Sequence, residues 1–220
     1  MASRVRKVGV IGIGLMGSGI AQVAATNSFD TVVIDMTAEI IAKGMDRIRK
    51  SLERLVESHQ KSGGKTGIRP EEKEKIYGRI RASTDRGELL DRDILIEAIV
   101  ENEAAKKEAI SSLSRMGYQC LFVSNTSSIS ITRLASAYSL PEMFMGMHFM
   151  NPVPVQPGCE LIRGFLTSDE TFQKVTEFCR ELGKEPIFAE DKAGFGINRK
   201  RIRVKTPSVP SDPISHSLRL

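Results

Sequence analysis

Of the three histidines in this 220-residue chain, only His148 lies in an apolar run, Phe144-Met145-Gly146-Met147-His148-Phe149. That run opens into Asn151-Pro152-Val153-Pro154, and Glu160 follows in Cys159-Glu160-Leu161-Ile162, a carboxylate inside a second apolar run. An imidazole can take the proton of a hydroxyl as a hydride leaves its carbon, and a neighbouring carboxylate fixes the tautomer and stabilises the imidazolium. A strand end opening into a proline-rich loop is also where open α/β sheets place ligands. Spacing alone fits a satisfied core histidine as well, so the pair needs support from the rest of the chain.

That support begins at the amino terminus. Gly12-Ile13-Gly14-Leu15-Met16-Gly17 is a GxGxxG turn between an apolar run, Val8 to Ile13, and a helical stretch through Ala25. Gly12 permits the tight turn, Gly14 lets the backbone approach a pyrophosphate, and Gly17 allows close strand–helix contact. The helix amino terminus, with Leu15 and Met16 in its first turn, offers N–H donors and a positive dipole end to the phosphates. Asp35 closes the next β-rich run, Thr31 to Ile34, where a carboxylate accepts hydrogen bonds from the adenosine ribose hydroxyls. Met36 and Thr37 follow, with no nearby arginine in sequence for a 2′-phosphate, so the expected cofactor is NAD rather than NADP. Gly64-Lys65-Thr66 resembles the end of a phosphate-binding loop, but the position that needs glycine is His59 and no strand precedes it.

The elements that must position these groups alternate between short apolar runs and helical stretches, the order of a parallel sheet covered by helices. Ile40 to His59 is a long amphipathic helix, followed by a glycine-rich loop at Ser62 to Gly67 and a proline-initiated helix at Pro70 to Tyr77. Ile94 to Val100 reads as a strand with Ala104 to Met116 as its crossover helix. Cys120 to Ser124, Phe144 to Phe149 and a shorter Glu160 to Ile162 read as further strands, and Ser168 to Leu182 as a helix capped by Ser168. The expected fold class is therefore α/β, a Rossmann-type doubly wound, mostly parallel sheet with a long helical insertion after the second strand.

Composition narrows the function classes. Hydrophobic residues make up 40% and charged residues 27%, the balance of a soluble globular protein, and no run is long enough for a membrane span. Lys+Arg number 32 against 27 Asp+Glu, scattered, with only 5% aromatic residues and no tryptophan, which argues against a nucleic-acid partner. Cys120, Cys159 and Cys179 form neither a disulfide framework nor a metal-ligand pattern, so no metal is expected and the expected compartment is reducing and intracellular. The chain enters an apolar run close to its first residue, so no presequence is expected.

The segments Gly12 to Ala25, Asp35, Glu97 to Asn102 (EAIVEN), Ser124 to Ile129 (SNTSSI), Met147 to Val155 (MHFMNPVPV) and the CELIRG strand resemble, in order, the 3-hydroxyacyl-CoA dehydrogenase family. The resemblance covers about residues 6–199. It implies NAD-dependent oxidation of L-3-hydroxyacyl-CoA to 3-oxoacyl-CoA, the chemistry of fatty-acid β-oxidation, with an acyl-CoA substrate. It also implies roles: His148 as general base, Glu160 as its partner, Ser127 on the substrate oxygen and Asn198 beside substrate and cofactor. Glu101 and Lys106 match positions near the nicotinamide ribose, Ser51 a CoA-contacting serine, and Asn151 a substrate-binding position. From the residues alone, Ser124 to Ser128 read equally well as a helix cap and Glu101 as helix-start charge.

Two features depart from the family pattern. Gln156-Pro157-Gly158-Cys159 replaces a more aliphatic approach to the glutamate. After Asn198-Arg199 the family continues into an all-helical domain that forms the homodimer interface. Here KRIRVKTPSVPSDPISHSLRL follows, read as an irregular, disordered tail over residues 200–220, so the expected domain is 1–199 and the dimerisation domain is expected to be absent. Two alternatives stay open on the residues: a catalytically silent NAD-binding protein, and a dehydrogenase of another 3-hydroxy substrate such as a sugar acid. The resemblance points to the mitochondrial matrix, the expected lack of a presequence to the cytoplasm.

Overall fold

A computed structural model describes residues 5–192. Asn198 and the tail at 200–220 lie outside the described residues. Eight strands form one sheet: β1 (Lys7–Ile11), β2 (Asp30–Ile34), β3 (Ile80–Ser83), β4 (Ile94–Glu97), β5 (Leu121–Ser124), β6 (Phe144–Phe149), β7 (Gly158–Arg163) and β8 (Glu185–Glu190). Their order is β3-β2-β1-β4-β5-β6-β7-β8. The first six run parallel, β7 returns antiparallel to β6, and β8 runs parallel to β7. This is the expected doubly wound sheet, with its direction of winding reversed between β1 and β4.

The strands alternate side chains between two cores. Val8, Val10, Ile94, Ile96 and Val123 pack with Ile20 and Ala24 of α1 (Leu15–Thr26), Ile48 and Leu52 of α2 (Ala38–Lys61), and Val175 and Phe178 of α6 (Asp169–Glu181). Ile11, Leu95, Phe122 and Phe144 pack on the other face with Ile110 and Leu113 of α4 (Glu103–Arg115) and Ile131 and Leu134 of α5 (Ile131–Ala135). Each fully buried Leu, Ile, Val or Phe contributes roughly 1.5–3 kcal/mol, so the central strands dominate the stability. The crossover from β2 to β3 is the expected long helical segment, α2 followed by α3 (Pro70–Gly78). Only Gly44, Ile48 and Leu52 of α2 are buried, so most of its length of about 36 Å presents solvent-facing side chains.

Several expected boundaries move. The first strand ends at Ile11 rather than Ile13, because Gly12 turns the chain with φ +94°. The strand from Ile94 stops at Glu97 rather than Val100, because the Glu97 carboxylate takes the Ile99 N–H (2.8 Å) and pulls the backbone out of the ladder. The short run Glu160 to Ile162 is a six-residue strand, β7. β3, β8 and α5 have no counterpart in the sequence reading. β3 and β8 are the two sheet edges, where one open flank tolerates Arg81, Glu185 and Pro186 and blurs the apolar pattern. α5 is five residues long, too short to show a helical period.

Candidate functional site

The chain passes from β1 into α1 at the switch point between β1 and β4, and the glycines explain how. The Gly12 N–H donates to Ile34 O (2.8 Å), and a Cβ there would meet Ala98 O at 2.9 Å. A Cβ on Gly17 would lie 1.8 Å from Gly12 O, so no larger residue fits between turn and helix. Gly14 differs: nothing lies within 4 Å of its would-be Cβ. It is also the N-cap of α1 and no side chain caps that end. The turn thus presents an open glycine and helical N–H groups together, the arrangement a pyrophosphate takes. Half-buried Asp35 holds the turn, accepting from the Ile13 N–H at 2.8 Å through Oδ2 and from the Met36 N–H at 2.7 Å through Oδ1.

Arg47 is a residue that sequence reasoning misses. One turn before Ser51 on α2, its Nη1 donates to Ile13 O (3.1 Å) and approaches Ser18 Oγ (3.5 Å), while a Cβ on Gly44 would be 2.5 Å from Ile13 Cγ1. α2 is thereby locked onto the glycine turn, and Ser51, one turn further along that helix, is half-buried. The long sequence separation between Arg47 and Ile13 hides the contact.

His148 and Glu160 are cross-strand partners in the β6–β7 register, with Nδ1 and Oε2 2.9 Å apart. The Glu160 side chain is 1% exposed and that of His148 15%. The departure at Gln156 to Cys159 does not displace them: β7 begins at Gly158 and the register delivers Glu160 opposite His148. Exposed Asn151 follows β6, and the Asn151–Pro152 peptide is cis. The loop is pinned by Lys184, whose ammonium donates to Val153 O (2.6 Å) and Gln156 O (2.7 Å), and by Val153 against Gly19 of α1. The histidine-bearing segment therefore abuts the helix of the glycine turn.

A second cluster sits at the ends of β4 and β5. Glu101 Oε1 accepts from Thr126 Oγ1 (2.7 Å), from the N–H of Ser127 (2.8 Å) and of Ser128 (3.1 Å), and from both serine hydroxyls. Burial pushes the Glu101 carboxyl up, but these donors and the Lys106 ammonium outweigh it and hold it below the usual range. The Glu101 carboxylate thus reaches across to the Thr126–Ser128 turn, while Asn102 caps α4 by accepting from the Ala105 N–H (2.9 Å). Ser124 to Ser128 do not cap α5, which takes Ser130. Lys106, expected beside the ribose, is 1% exposed and its ammonium lies 2.7 Å from Oε1 of Glu97, itself 0% exposed. Glu97 and Asn125 also escape the sequence reading as site residues. Asn125 Oδ1 accepts from the Phe149 N–H (2.8 Å) next to His148, and Glu97 carries the same signal as Glu160, an acid inside an apolar strand.

Among the described residues no group of three or more His, Cys, Asp or Glu is placed to hold a metal ion, and no helix is long and apolar enough to cross a membrane.

Comparison with known proteins places this geometry. Residues 7–192 match the model of the 3-hydroxyacyl-CoA dehydrogenase NAD-binding domain. A probable 3-hydroxybutyryl-CoA dehydrogenase of Deinococcus radiodurans is 47% identical over 194 residues, 88% of this chain and 67% of that protein. The mitochondrial hydroxyacyl-coenzyme A dehydrogenase of Mus musculus is 40% identical over 197 residues, 89% of this chain and 62% of that protein. The crystal structure of (S)-3-hydroxybutyryl-CoA dehydrogenase from Ralstonia eutropha superposes with a TM-score of 0.83 at 38% identity, covering 89% of this chain and 67% of that one. The chain thus spans about two thirds of the length of the relatives it matches. It belongs to the 3-hydroxyacyl-CoA dehydrogenase family and carries that family's NAD-binding domain.

Proposed function

We propose that the chain interconverts L-3-hydroxyacyl-CoA and 3-oxoacyl-CoA with NAD, the hydroxyl-oxidising step of fatty-acid β-oxidation. The observation that carries the reading is the His148–Glu160 pair, 2.9 Å apart at the β6–β7 end, beside the helix of the glycine turn. NAD, when bound, supplies the hydride acceptor, and Gly12, Gly14, Gly17, Leu15, Met16, Asp35, Glu101 and Lys106 are the residues that would hold it.

With Nδ1 turned to Glu160, the ring atom that takes the substrate proton is Nε2. Glu160 stabilises the imidazolium so formed, and a positioned general base of this kind contributes about 10²–10⁴ in rate. The Ser127 hydroxyl contacts the substrate oxygen, while Asn151 and Ser51 serve the acyl-CoA. Relatives at 39% identity and above are named as CoA-thioester dehydrogenases, which favours a thioester over a free 3-hydroxy acid. The free cysteines Cys120, Cys159 and Cys179 support a reducing compartment. The test is NADH consumption with acetoacetyl-CoA against free acetoacetate: the thioester is expected to be consumed far faster, and equal rates would overturn the substrate assignment.

A further inference from the structure

The ammonium of Lys184 is committed to a single loop. Lys184 follows α6 at the entry to β8 and is 7% exposed, and its Nζ donates to Val153 O (2.6 Å) and Gln156 O (2.7 Å). A main-chain carbonyl compensates a buried cation less than a carboxylate does, and burial lowers the Lys184 pKa below the usual lysine value. An apolar side chain of that length would fill the space without the cost of enclosing a charge. The two bonds to the loop are what the charge adds.

Both carbonyls lie in the connection between the two strands of the dyad. Val153 comes five residues after His148, and Gln156 four residues before Glu160. Within the connection, Pro152 O accepts from the N–H groups of Val155 (3.0 Å) and Gln156 (2.9 Å). Val153 is 2% exposed, and a Cβ on Gly19 of α1 would meet its Cβ at 2.9 Å. One ammonium thus joins the two arms of the loop, and the same loop rests on the helix of the glycine turn. We infer that Lys184 is a positioning residue: its ammonium draws Val153 O and Gln156 O to one point, which sets how Asn151 and the His148–Glu160 pair stand toward a ligand at the glycine turn. Lys184 acts through the loop alone. The consequence for catalysis rests on the proposed reaction; the hold on the loop does not.

The experiment compares the full chain with Lys184→Met, which keeps a side chain of similar length and removes the ammonium donors. Amide hydrogen exchange at Val155 and Gln156 is expected to be at least about tenfold faster in the variant, with β6 and β7 amides unchanged. Measured below the Tm of both chains and at saturating NADH, kcat with acetoacetyl-CoA is expected to fall about tenfold, a loss that a less stable but correctly arranged site would not show. Lys184→Gln, whose amide donates but ends one atom short of the ammonium, takes the same two measurements and is expected to behave as Lys184→Met does. Parental exchange at Val155 and Gln156, exchange raised equally across β6 and β7, or failure of both variants to fold would overturn the inference, because Lys184 would then serve the fold alone. Faster loop exchange with parental kcat would overturn the consequence for catalysis. A parent chain without turnover would count against the proposed reaction, and the exchange measurement would still decide the hold on the loop.

Discussion

Replacing Gly14 by alanine separates cofactor binding from folding. Gly14 sits at φ −60°, ψ −161°, in extended rather than left-handed backbone, and its would-be Cβ meets nothing within 4 Å. The folded state therefore gains no clash, and the stiffer unfolded chain, worth about 0.4–1 kcal/mol, offsets the poorer fit of alanine at a helix N-cap. The added methyl, however, occupies the open side of the turn where a pyrophosphate oxygen approaches the N–H groups of α1. Displacing one charge-assisted bond costs about 1.5–3 kcal/mol, and each 1.4 kcal/mol is tenfold. Titration calorimetry should thus show NADH binding about ten- to a hundredfold weaker in Gly14→Ala, with Tm close to the parent's. Gly17→Ala should behave differently, because its Cβ would lie 1.8 Å from Gly12 O, so Tm and affinity should fall together. Parental NADH affinity in Gly14→Ala would refute the placement of the phosphates.

Glu160→Gln keeps the shape beside His148 Nδ1 but removes the charge, so kcat should fall by about 10²–10⁴ with NADH affinity unchanged; a kcat within about threefold of the parent's would sink the dyad's role. Asp191 holds the start of α5, and although burial raises its carboxyl, donors from Thr132, Ile131 and Ser130 outweigh this and lower it. A depressed carboxyl stabilises the fold above its unfolded pKa of about 3.9 and loses that contribution as pH falls through the folded value. Asp191→Asn should therefore cost roughly 1–2 kcal/mol near neutral pH and little in strong acid, read as Tm against pH; a pH-independent difference would contradict the assignment. Burial pushes the Cys120 thiol up to about 12, so at mildly alkaline pH only about one molecule in ten thousand carries the thiolate. Iodoacetamide should leave Cys120 unmodified in the folded chain and label it in urea, as followed by mass spectrometry; prompt labelling of the folded protein would exclude that burial.

The central strands and the glycine turn are legible in sequence because the physics that forms them is local. Val8 to Ile11 and Ile94 to Glu97 are buried on both faces and read as continuous apolar runs, and Gly12, Gly14 and Gly17 signal a turn within six positions. The edges β3 and β8 are hidden by the tolerance of open strands for charge and proline. Long-range side-chain contacts are hidden too. Arg47 reaches Ile13 across a helix, Lys184 reaches the loop after β6, and Asn125 holds Phe149, none of which leaves a local pattern. The Glu97–Lys106 pair is hidden as well, because a lysine in a helix gives no sign in sequence of a carboxylate buried opposite it.

The central claim is that His148 abstracts the substrate proton. NADH consumption with acetoacetyl-CoA, measured on the parent chain and on His148→Gln, tests it most directly. The account predicts turnover in the parent and a loss of at least about a hundredfold in His148→Gln, with NADH binding retained in both. Equal turnover in the two, or a parent that binds NADH and turns over nothing, would contradict it.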